Sequence, residues 1–186
     1  MREQITIQAI RDSRTCVVVL SAHQALSAVD MALIRLIANL PSRDVIIFVN
    51  RIDELSDPGR HVGEIEESIR RTIHDHRGPA EAEIVFGSAH WAGHAIAGTL
   101  AEMDQPSAES LLSWAEAECG DLPKDTEGRF DAQAVWDLSG VPGLYGALAD
   151  RLSETVGVEV ADEVARGGLN LAAQLETEHR VRPRQV

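Results

Sequence analysis

Two polar side chains, an amide and a carboxylate, directly follow a long apolar run in the first third of the chain. The run covers residues 45–49, five apolar residues without a polar interruption, and Asn50 and Asp53 come after it. A continuous apolar run is typical of a strand covered on both faces, as in a parallel sheet between helices. Ligands of open α/β sheets bind beyond the carboxyl ends of the strands, so these two side chains are placed to contact one.

A second, shorter apolar run ends in small polar residues in the same way. It covers residues 84–86, within a strand predicted at 83–87, and Ser88, Ala89 and His90 follow this strand. Small residues allow close approach to the backbone, and each backbone N–H is a hydrogen-bond donor. Because a helical pattern separates the two runs, the sequence predicts parallel strands whose carboxyl ends lie at the same edge of one sheet.

The residues at 50–53, Asn-Arg-Ile-Asp, resemble the guanine-recognition motif of the GTPase superfamily, and those at 88–90, Ser-Ala-His, resemble its second base-contacting motif. The resemblance implies that the Asp53 carboxylate accepts hydrogen bonds from the ring N–H and the exocyclic amine of guanine. It also implies that Asn50 pairs with the acceptor edge of the purine and that the Ala89 N–H meets the guanine oxygen. Adenine has no such pair of donors, so the carboxylate would select guanine.

Arg51 stands where a lysine is commoner in this motif. The resemblance places its aliphatic stem against the plane of the base, with the guanidinium adding stacking. An ordinary structural role also fits, because a strand end followed by an Asx-type helix cap uses Asn and Asp in the same way. The candidate binding residues are Asn50, Arg51, Asp53, Ser88 and Ala89, and the sequence suggests no catalytic residue and no metal ligand.

The resemblance extends over most of the chain. Residues from 2 to about 155 are similar to the C-terminal half of the GTPase domain of bacterial dynamin-like proteins, with matching runs at 2–5, 17–27, 50–55, 86–91 and 139–144. It implies a partial P-loop GTPase fold, a three-layer α/β structure with a parallel sheet between flanking helices, that lacks the phosphate-loop half. Residues 1–157 would form this partial GTPase domain, and residues 158–186 a C-terminal helix and a flexible basic tail.

The sequence contains no phosphate-binding loop of the form Gly-x-x-x-x-Gly-Lys-Ser/Thr. Its single lysine, Lys124, follows Asp-Leu-Pro, and Asp-Pro-Gly at 57–59 lacks the spacing of the magnesium-associated Asp-x-x-Gly motif. A phosphate loop binds through backbone N–H groups and a lysine. We therefore expect a fragment of a dynamin-like GTP-binding protein that binds GTP or GDP weakly or not at all, holds no Mg²⁺ and does not hydrolyse GTP alone.

Alternating strand and helix patterns place these motifs in the fold. The predicted strands lie at 15–20, 44–49 and 83–87, and the predicted helices at 2–12, 27–39, 62–76, 107–119 and from 144 to about 157. Crossovers between successive strands make the sheet parallel. Ser27 and Asp30 predict a capping box at the start of the second helix. The apolar residues expected to face the sheet from that helix are Met31, Ile34, Leu36, Ile37 and Leu40.

Composition limits the partners. The net charge of −13 and the single lysine argue against a cationic surface for nucleic acid or anionic lipid. The only cysteines, Cys16 and Cys119, indicate reduced thiols rather than a disulfide framework. No apolar run approaches the ~20 residues needed to span a bilayer. These features predict a soluble cytoplasmic protein whose membrane contact, if it has any, is peripheral.

The first predicted strand has an open side. By the resemblance, the phosphate-loop strand would lie beside residues 15–20, and this chain does not supply it. An uncovered strand edge invites pairing with another chain. The sequence therefore predicts self-association through this edge or its coverage by the C-terminal helix. The alternative to a guanine-binding protein is an α/β interaction module that binds no nucleotide and uses the sheet as a scaffold.

Other patterns that suggest chemistry are better explained by surface positions. The histidines lack the cysteine pairs or the His-Glu-x-x-His spacing of metal sites, so surface or loop positions are expected for His74, His76, His90 and His94. The glutamates at 64, 66 and 67 fit a solvated helix face. Ser88 does not belong to a Gly-x-Ser-x-Gly sequence, so a hydrolase elbow is not expected.

Overall fold

The computed structural model describes residues 13–24, 26–39, 44–120, 123–124 and 130–153. These residues contain a parallel sheet with the strand order β1-β2-β3. The strands are β1 (Thr15–Ser21), β2 (Asp44–Asn50) and β3 (Glu83–Phe86). The predicted α/β class and the three predicted strands are confirmed, whereas the P-loop GTPase fold remains a prediction.

Helices connect the strands and follow the last of them. They are α1 (Ala28–Ala38), α2 (Pro58–Asp75), α3 (Ala89–Ala97), α4 (Gln105–Cys119) and α5 (Ala132–Leu138), with 3₁₀ turns at Ile52–Glu54 and Leu100–Glu102. Residues 141–153 are also helical. The chain divides into two compact units, Met1–Leu148 and Ala149–Val186. The predicted helix at 2–12 and the predicted C-terminal helix and tail at 158–186 lie outside the described residues.

β2 is the central strand of the sheet. All of residues 45–49 are buried, and because successive side chains of a strand point to opposite faces, both faces of β2 are covered, as predicted. β2 pairs with β1 as far as Ser21 opposite Asn50, and with β3 as far as Val49 opposite Phe86. The loops that leave β2 and β3 therefore begin side by side at the carboxyl edge of the sheet.

The capping box predicted at the start of α1 is present. The Ser27 hydroxyl accepts the backbone N–H of Asp30 at 3.2 Å, and the Asp30 carboxylate accepts the backbone N–H of Ser27 at 2.9 Å. Met31, Ile34 and Ile37 are buried on the core side of this helix, also as predicted.

One predicted core residue of α1 is wrongly assigned. Leu36 is 52% exposed, because a helix turns by about 100° per residue and position 36 therefore lies on the far side from Ile34. Val29 and Leu33 lie on the same side as Leu36 and are 77% and 39% exposed. These three residues form an exposed apolar stripe, called the α1 stripe below. Leu40 lies outside the described residues.

α2 begins at Pro58 rather than near Val62, where the sequence pattern had placed its start. Asp57 is the N-cap residue, and the proline stands in the first turn, where a helix leaves backbone N–H groups unpaired in any case. The predicted start was too late, because Asp-Pro-Gly at 57–59 already supplies the N-cap and the first helical residues. The same three residues are an effective helix start.

Asp57 also links α2 to α4. Its carboxylate accepts the Ser113 hydroxyl at 2.7 Å and the Arg60 backbone N–H at 3.3 Å. The hydrogen bond from Ser113, followed by that from Arg60, lowers the pKa of Asp57 below its ordinary value against a partial opposing effect of burial. The two helices approach closely at Gly59, where an added Cβ would lie 2.8 Å from the Cβ of Ala117.

β1 is an outer strand of the described sheet. Val18 and Leu20 are buried, but Val19 between them is 61% exposed, so one face of the strand is covered and the other is partly open. Self-association through this edge, or coverage by the C-terminal helix, remains a prediction.

Cys16 in β1 and Cys119 at the end of α4 are not joined in a disulfide, as the sequence had suggested. Within the described ranges, no helix has both the length and the apolar character that crossing a bilayer requires.

Removal of the Ser113 hydroxyl should raise the pKa of Asp57. A carboxyl group whose pKa is lower in the folded than in the unfolded state stabilises the fold at pH values above the ordinary aspartate pKa. This stabilisation is lost as the pH falls through the lowered pKa. We expect Ser113→Ala to move the pKa of Asp57 back toward the ordinary range and to weaken the loss of stability in acid. An NMR titration of the side-chain carboxyl carbon measures the pKa directly.

The matched control is Ser110→Ala, which removes a hydroxyl from the same helix that donates to the Leu55 carbonyl instead. It should leave the pKa of Asp57 unchanged. The same pKa of Asp57 in the wild type and in Ser113→Ala would contradict the assigned cause.

Candidate functional site

The two predicted motif segments meet at the carboxyl edge of the sheet. The Gly87 N–H donates to the Val49 carbonyl at 3.0 Å, and the Ile52 N–H donates to the Gly87 carbonyl at 3.3 Å. The Ser88 hydroxyl donates to the Asp53 carboxylate at 2.5 Å, which connects positions 35 residues apart. The sequence therefore placed these side chains correctly at one edge.

The hydroxyl of Ser88 fixes the Asp53 carboxylate. Ser88 is the N-cap of α3, and its oxygen accepts the Trp91 backbone N–H at 3.1 Å, so its single proton is directed to Asp53. Asp53 is 8% exposed and Ser88 is fully buried. Ser88 is the one hydrogen-bond partner of this carboxylate within the described part of the chain. The carboxylate keeps acceptor capacity for a ligand, since it has about four lone-pair sites.

The Asn50 side chain accepts a hydrogen bond from the Ala89 N–H, the backbone donor that the resemblance assigns to the guanine oxygen. Its Oδ1 accepts the Ala89 N–H at 3.0 Å and the Arg51 N–H at 2.8 Å. A ligand oxygen at Ala89 must therefore displace Asn50 Oδ1 or share the N–H with it. Asn50 Oδ1 thus links the backbone that follows β2 to the start of α3.

Arg51 adopts a left-handed backbone conformation with φ 71° and ψ 34°. This conformation costs a non-glycine residue of order 1–3 kcal/mol, and it persists only where the surroundings hold it. Here Asn50 accepts the Arg51 N–H, and the next residue, Ile52, is completely buried. The Arg51 guanidinium pairs with Glu54 through Nε at 2.8 Å and through a second nitrogen. Its charge is therefore partly neutralised.

A cleft of about 530 Å³ lies beside Asp53. Small-molecule sites typically have volumes of ~300–1,000 Å³, so the cleft is large enough for a purine nucleoside. Three of the five predicted binding residues line it, whereas Ser88 and Ala89 do not. The lining residues are Asn50, Arg51, Asp53, Glu54, His90, Asp104, Pro106 and Ser107.

The second wall of the cleft was not predicted from the sequence. It consists of His90 at the start of α3 and of Asp104, Pro106 and Ser107 at the start of α4. The Trp91 indole N–H donates to the Ser107 hydroxyl at 3.0 Å and holds α4 against α3. His90 Nε2 lies 3.5 Å from Asp104 Oδ2. Only the Asp-x-Pro start of α4 indicated this wall, because an aspartate N-cap followed by proline marks a helix start.

A segment far along the chain supports the loop that carries Ser88. The Ser88 N–H donates to the Ser139 carbonyl at 2.8 Å. An added Cβ at Gly87 would lie 2.3 Å from the Ser139 carbonyl oxygen, and one at Gly140, where φ is +73°, would lie 1.9 Å from the Phe86 carbonyl oxygen. Both positions therefore require glycine. The run at 139–144 contributes packing to the site rather than a ligand contact.

The histidines considered as metal ligands do not converge. His74 has a side chain that is 88% exposed, while His90 and His94 meet edge to face with ring centroids 4.6 Å apart. His94 Nδ1 lies 2.9 Å from the Thr99 carbonyl oxygen. Among the described residues, no group of three or more metal-ligating side chains is present.

Comparison of the sequence with protein-family profiles and with curated proteins gives no match.

Replacement of Ser88 by alanine should destabilise the fold by about 3 kcal/mol. The substitution removes an N-cap, worth ~1 kcal/mol, and a hydrogen bond to a buried charged group, worth ~1.5–3 kcal/mol. Urea denaturation followed by tryptophan fluorescence measures the free energy of unfolding.

Ser27→Ala provides the comparison, because Ser27 caps α1 and does not contact a cleft residue. Its hydroxyl also donates to a carboxylate, that of Asp30, but at a part-buried position, so the expected cost is smaller, about 1–1.5 kcal/mol. Equal losses in the two variants would show that burial does not strengthen the hydrogen bond between Ser88 and Asp53.

Proposed function

We propose that this protein binds the guanine base of a nucleoside or nucleotide in the cleft beside Asp53. The observation that carries the proposal is the Asp53 carboxylate itself. This carboxylate belongs to a residue that is 8% exposed, it is held by Ser88, and it lines a cleft at the edge of the sheet where ligands of α/β proteins bind. A fixed, poorly hydrated acceptor of this kind favours a ligand with adjacent N–H donors.

Guanine offers such a pair of donors, the ring N1–H and the exocyclic amine. Adenine presents a ring nitrogen acceptor next to its amine, and that acceptor would face the carboxylate without a proton between them. A site built to receive a donor discriminates strongly against a ligand that lacks it, because the buried acceptor is then left unpaired. Guanine selectivity therefore rests on Asp53.

The proposal requires one exchange of hydrogen bonds. The guanine oxygen takes the Ala89 N–H from Asn50, whose amide is then available to the acceptor edge of the purine. The stem of Arg51 lies against the base plane. These contacts support recognition of the base only, with an affinity in the millimolar range, about −4 kcal/mol, since each bidentate pair contributes ~1–3 kcal/mol.

The motif resemblance supports the same ligand and would make the chain part of a dynamin-like GTP-binding protein. The proposal includes no phosphate chemistry, and we expect no GTP hydrolysis by the chain alone.

The direct test compares GDP with ADP by ligand-observed NMR. We expect GDP to bind about tenfold more tightly or better, a difference of about 1.4 kcal/mol or more. In Asp53→Asn the Oδ1 atom can still accept from Ser88, while the new amide donates a proton. Xanthine carries an oxygen where guanine carries its amine, so we expect this variant to lose its preference for GDP and to favour xanthosine diphosphate.

Asp137→Asn serves as the control, because it removes the same charge from α5, where Asp137 accepts a hydrogen bond from Gln133. Its preference for GDP should equal that of the wild type. Equal binding of GDP and ADP, or an unchanged preference in Asp53→Asn, would refute guanine recognition.

A second candidate function, an interaction module that binds no nucleotide, is favoured by the exposed α1 stripe. We propose a second copy of this chain as its occupant. Two outer strands of the same sequence pair antiparallel across a twofold axis, and each then contributes the same residues to the interface. An axis perpendicular to the sheet places both α1 helices on one face of the joined sheet, where burial of a leucine or valine contributes ~1.5–3 kcal/mol.

Sedimentation velocity over a range of concentrations tests this second candidate. We expect a monomer–dimer equilibrium in the wild type and a monomer in the double variant Leu33→Glu, Leu36→Glu, because the new charges would be buried in the interface. Ile96→Glu on α3 is the control, since Ile96 is an apolar residue with 73% exposure outside the α1 stripe. A wild type that stays monomeric at high concentration would rule out the dimer.

A further inference from the structure

We infer that the cleft prefers a neutral guanine nucleoside to a nucleoside triphosphate, an inference that rests on the proposed function and narrows its ligand. Three carboxylates line the cleft, those of Asp53, Glu54 and Asp104, against one guanidinium, that of Arg51. With His90 neutral, the lining has an excess of two negative charges. A triphosphate adds several more charges of the same sign, and like charges at short distance repel each other.

The arginine and the histidines near the cleft already have acidic partners. The Arg51 guanidinium contacts Glu54, and His23 lies 3.4 Å from the other oxygen of the same carboxylate. His90 faces Asp104 at 3.5 Å. Arg51 is the only lysine or arginine that lines the cleft within the described residues, so a phosphate would have to break an existing ion pair to gain a cation.

The two helix N-termini at the cleft also favour this conclusion. A helix N-terminus attracts anions through its free N–H groups and its dipole. At α4 the Asp104 carboxylate already occupies that position, accepting the Ser107 N–H at 3.0 Å. At α3 the Ser88 hydroxyl caps the helix and also donates a hydrogen bond to the Asp53 carboxylate. Both sites that would attract a phosphate therefore already hold an acidic side chain.

The same acidic groups suit the ribose of a nucleoside. Glu54 and Asp104, called the acidic rim below, are 39% and 60% exposed at their side chains and flank the cleft around the more deeply buried Asp53. Carboxylates accept hydrogen bonds from ribose hydroxyls, which are neutral donors. In this arrangement the base contacts Asp53 and the sugar contacts the acidic rim. Because the nucleoside is neutral, none of the three carboxylates repels it.

A titration of the full chain with guanosine, GMP, GDP and GTP, without added metal, tests the inference. We expect the affinity to fall with each added phosphate, so that guanosine binds about tenfold more tightly than GTP or better. Because the repulsion is electrostatic, raising the salt from about 0.05 M to about 0.5 M should reduce this ratio. Adenosine and ADP are included to test base recognition separately.

The variant Asp104→Asn removes one charge of the acidic rim and should reduce the ratio of guanosine to GTP affinity by about threefold or more. Asp137→Asn is again the control and should leave the ratio unchanged. GTP that binds as tightly as guanosine, while guanine ligands still bind more tightly than adenine ligands, would overturn the inference and leave the proposed function standing. No difference between guanine and adenine ligands, or no binding of any of them at millimolar concentration, would overturn both.

Discussion

The hydrogen bond from Ser88 to Asp53 is the interaction on which the arrangement of the site depends. A carboxylate that is 8% exposed needs a donor, and Ser88 supplies one whose direction is set by the Trp91 N–H on the opposite side of the same oxygen. The bond joins the ends of two strands, so it requires the register of β2 against β3 and the close packing at Gly87. The relative position of β2 and β3 therefore determines, through one buried hydrogen bond, how the Asp53 carboxylate is oriented.

Around that fixed acid group, the other polar contacts of the cleft are exchangeable. Asn50 holds the Ala89 N–H with a neutral hydrogen bond, and Arg51 holds Glu54 at a partly exposed position where ion pairs are weak. The first contact can be exchanged for another of similar strength at little cost in free energy. The cleft thus combines one fixed acidic group with polar contacts that can rearrange.

Much of the fold followed from local sequence patterns, and much of the site did not. The unbroken apolar run at 45–49 and the pair Ser27 and Asp30 have one simple structural meaning each, and both predictions are confirmed. Leu36 was assigned to the core because α1 carries more apolar residues than one face can bury. The wall formed by His90 and Asp104 depends on the docking of α4 through Trp91, a long-range contact that no local pattern specifies. The short helix α5 was likewise not predicted, since it buries only Val135 among its side chains.

The support that Ser139 and Gly140 give to the loop after β3 has a consequence for biosynthesis. On a ribosome, residues 50–53 and 88–90 emerge well before the segment that braces them. The backbone contacts of Ser88 with Ser139, and of Phe86 with Gly140, can form only when that later segment is free to fold back. The nascent chain therefore contains both segments before it has the contacts that orient the loop after β3, and the Ser88 side of the cleft can form only late in synthesis.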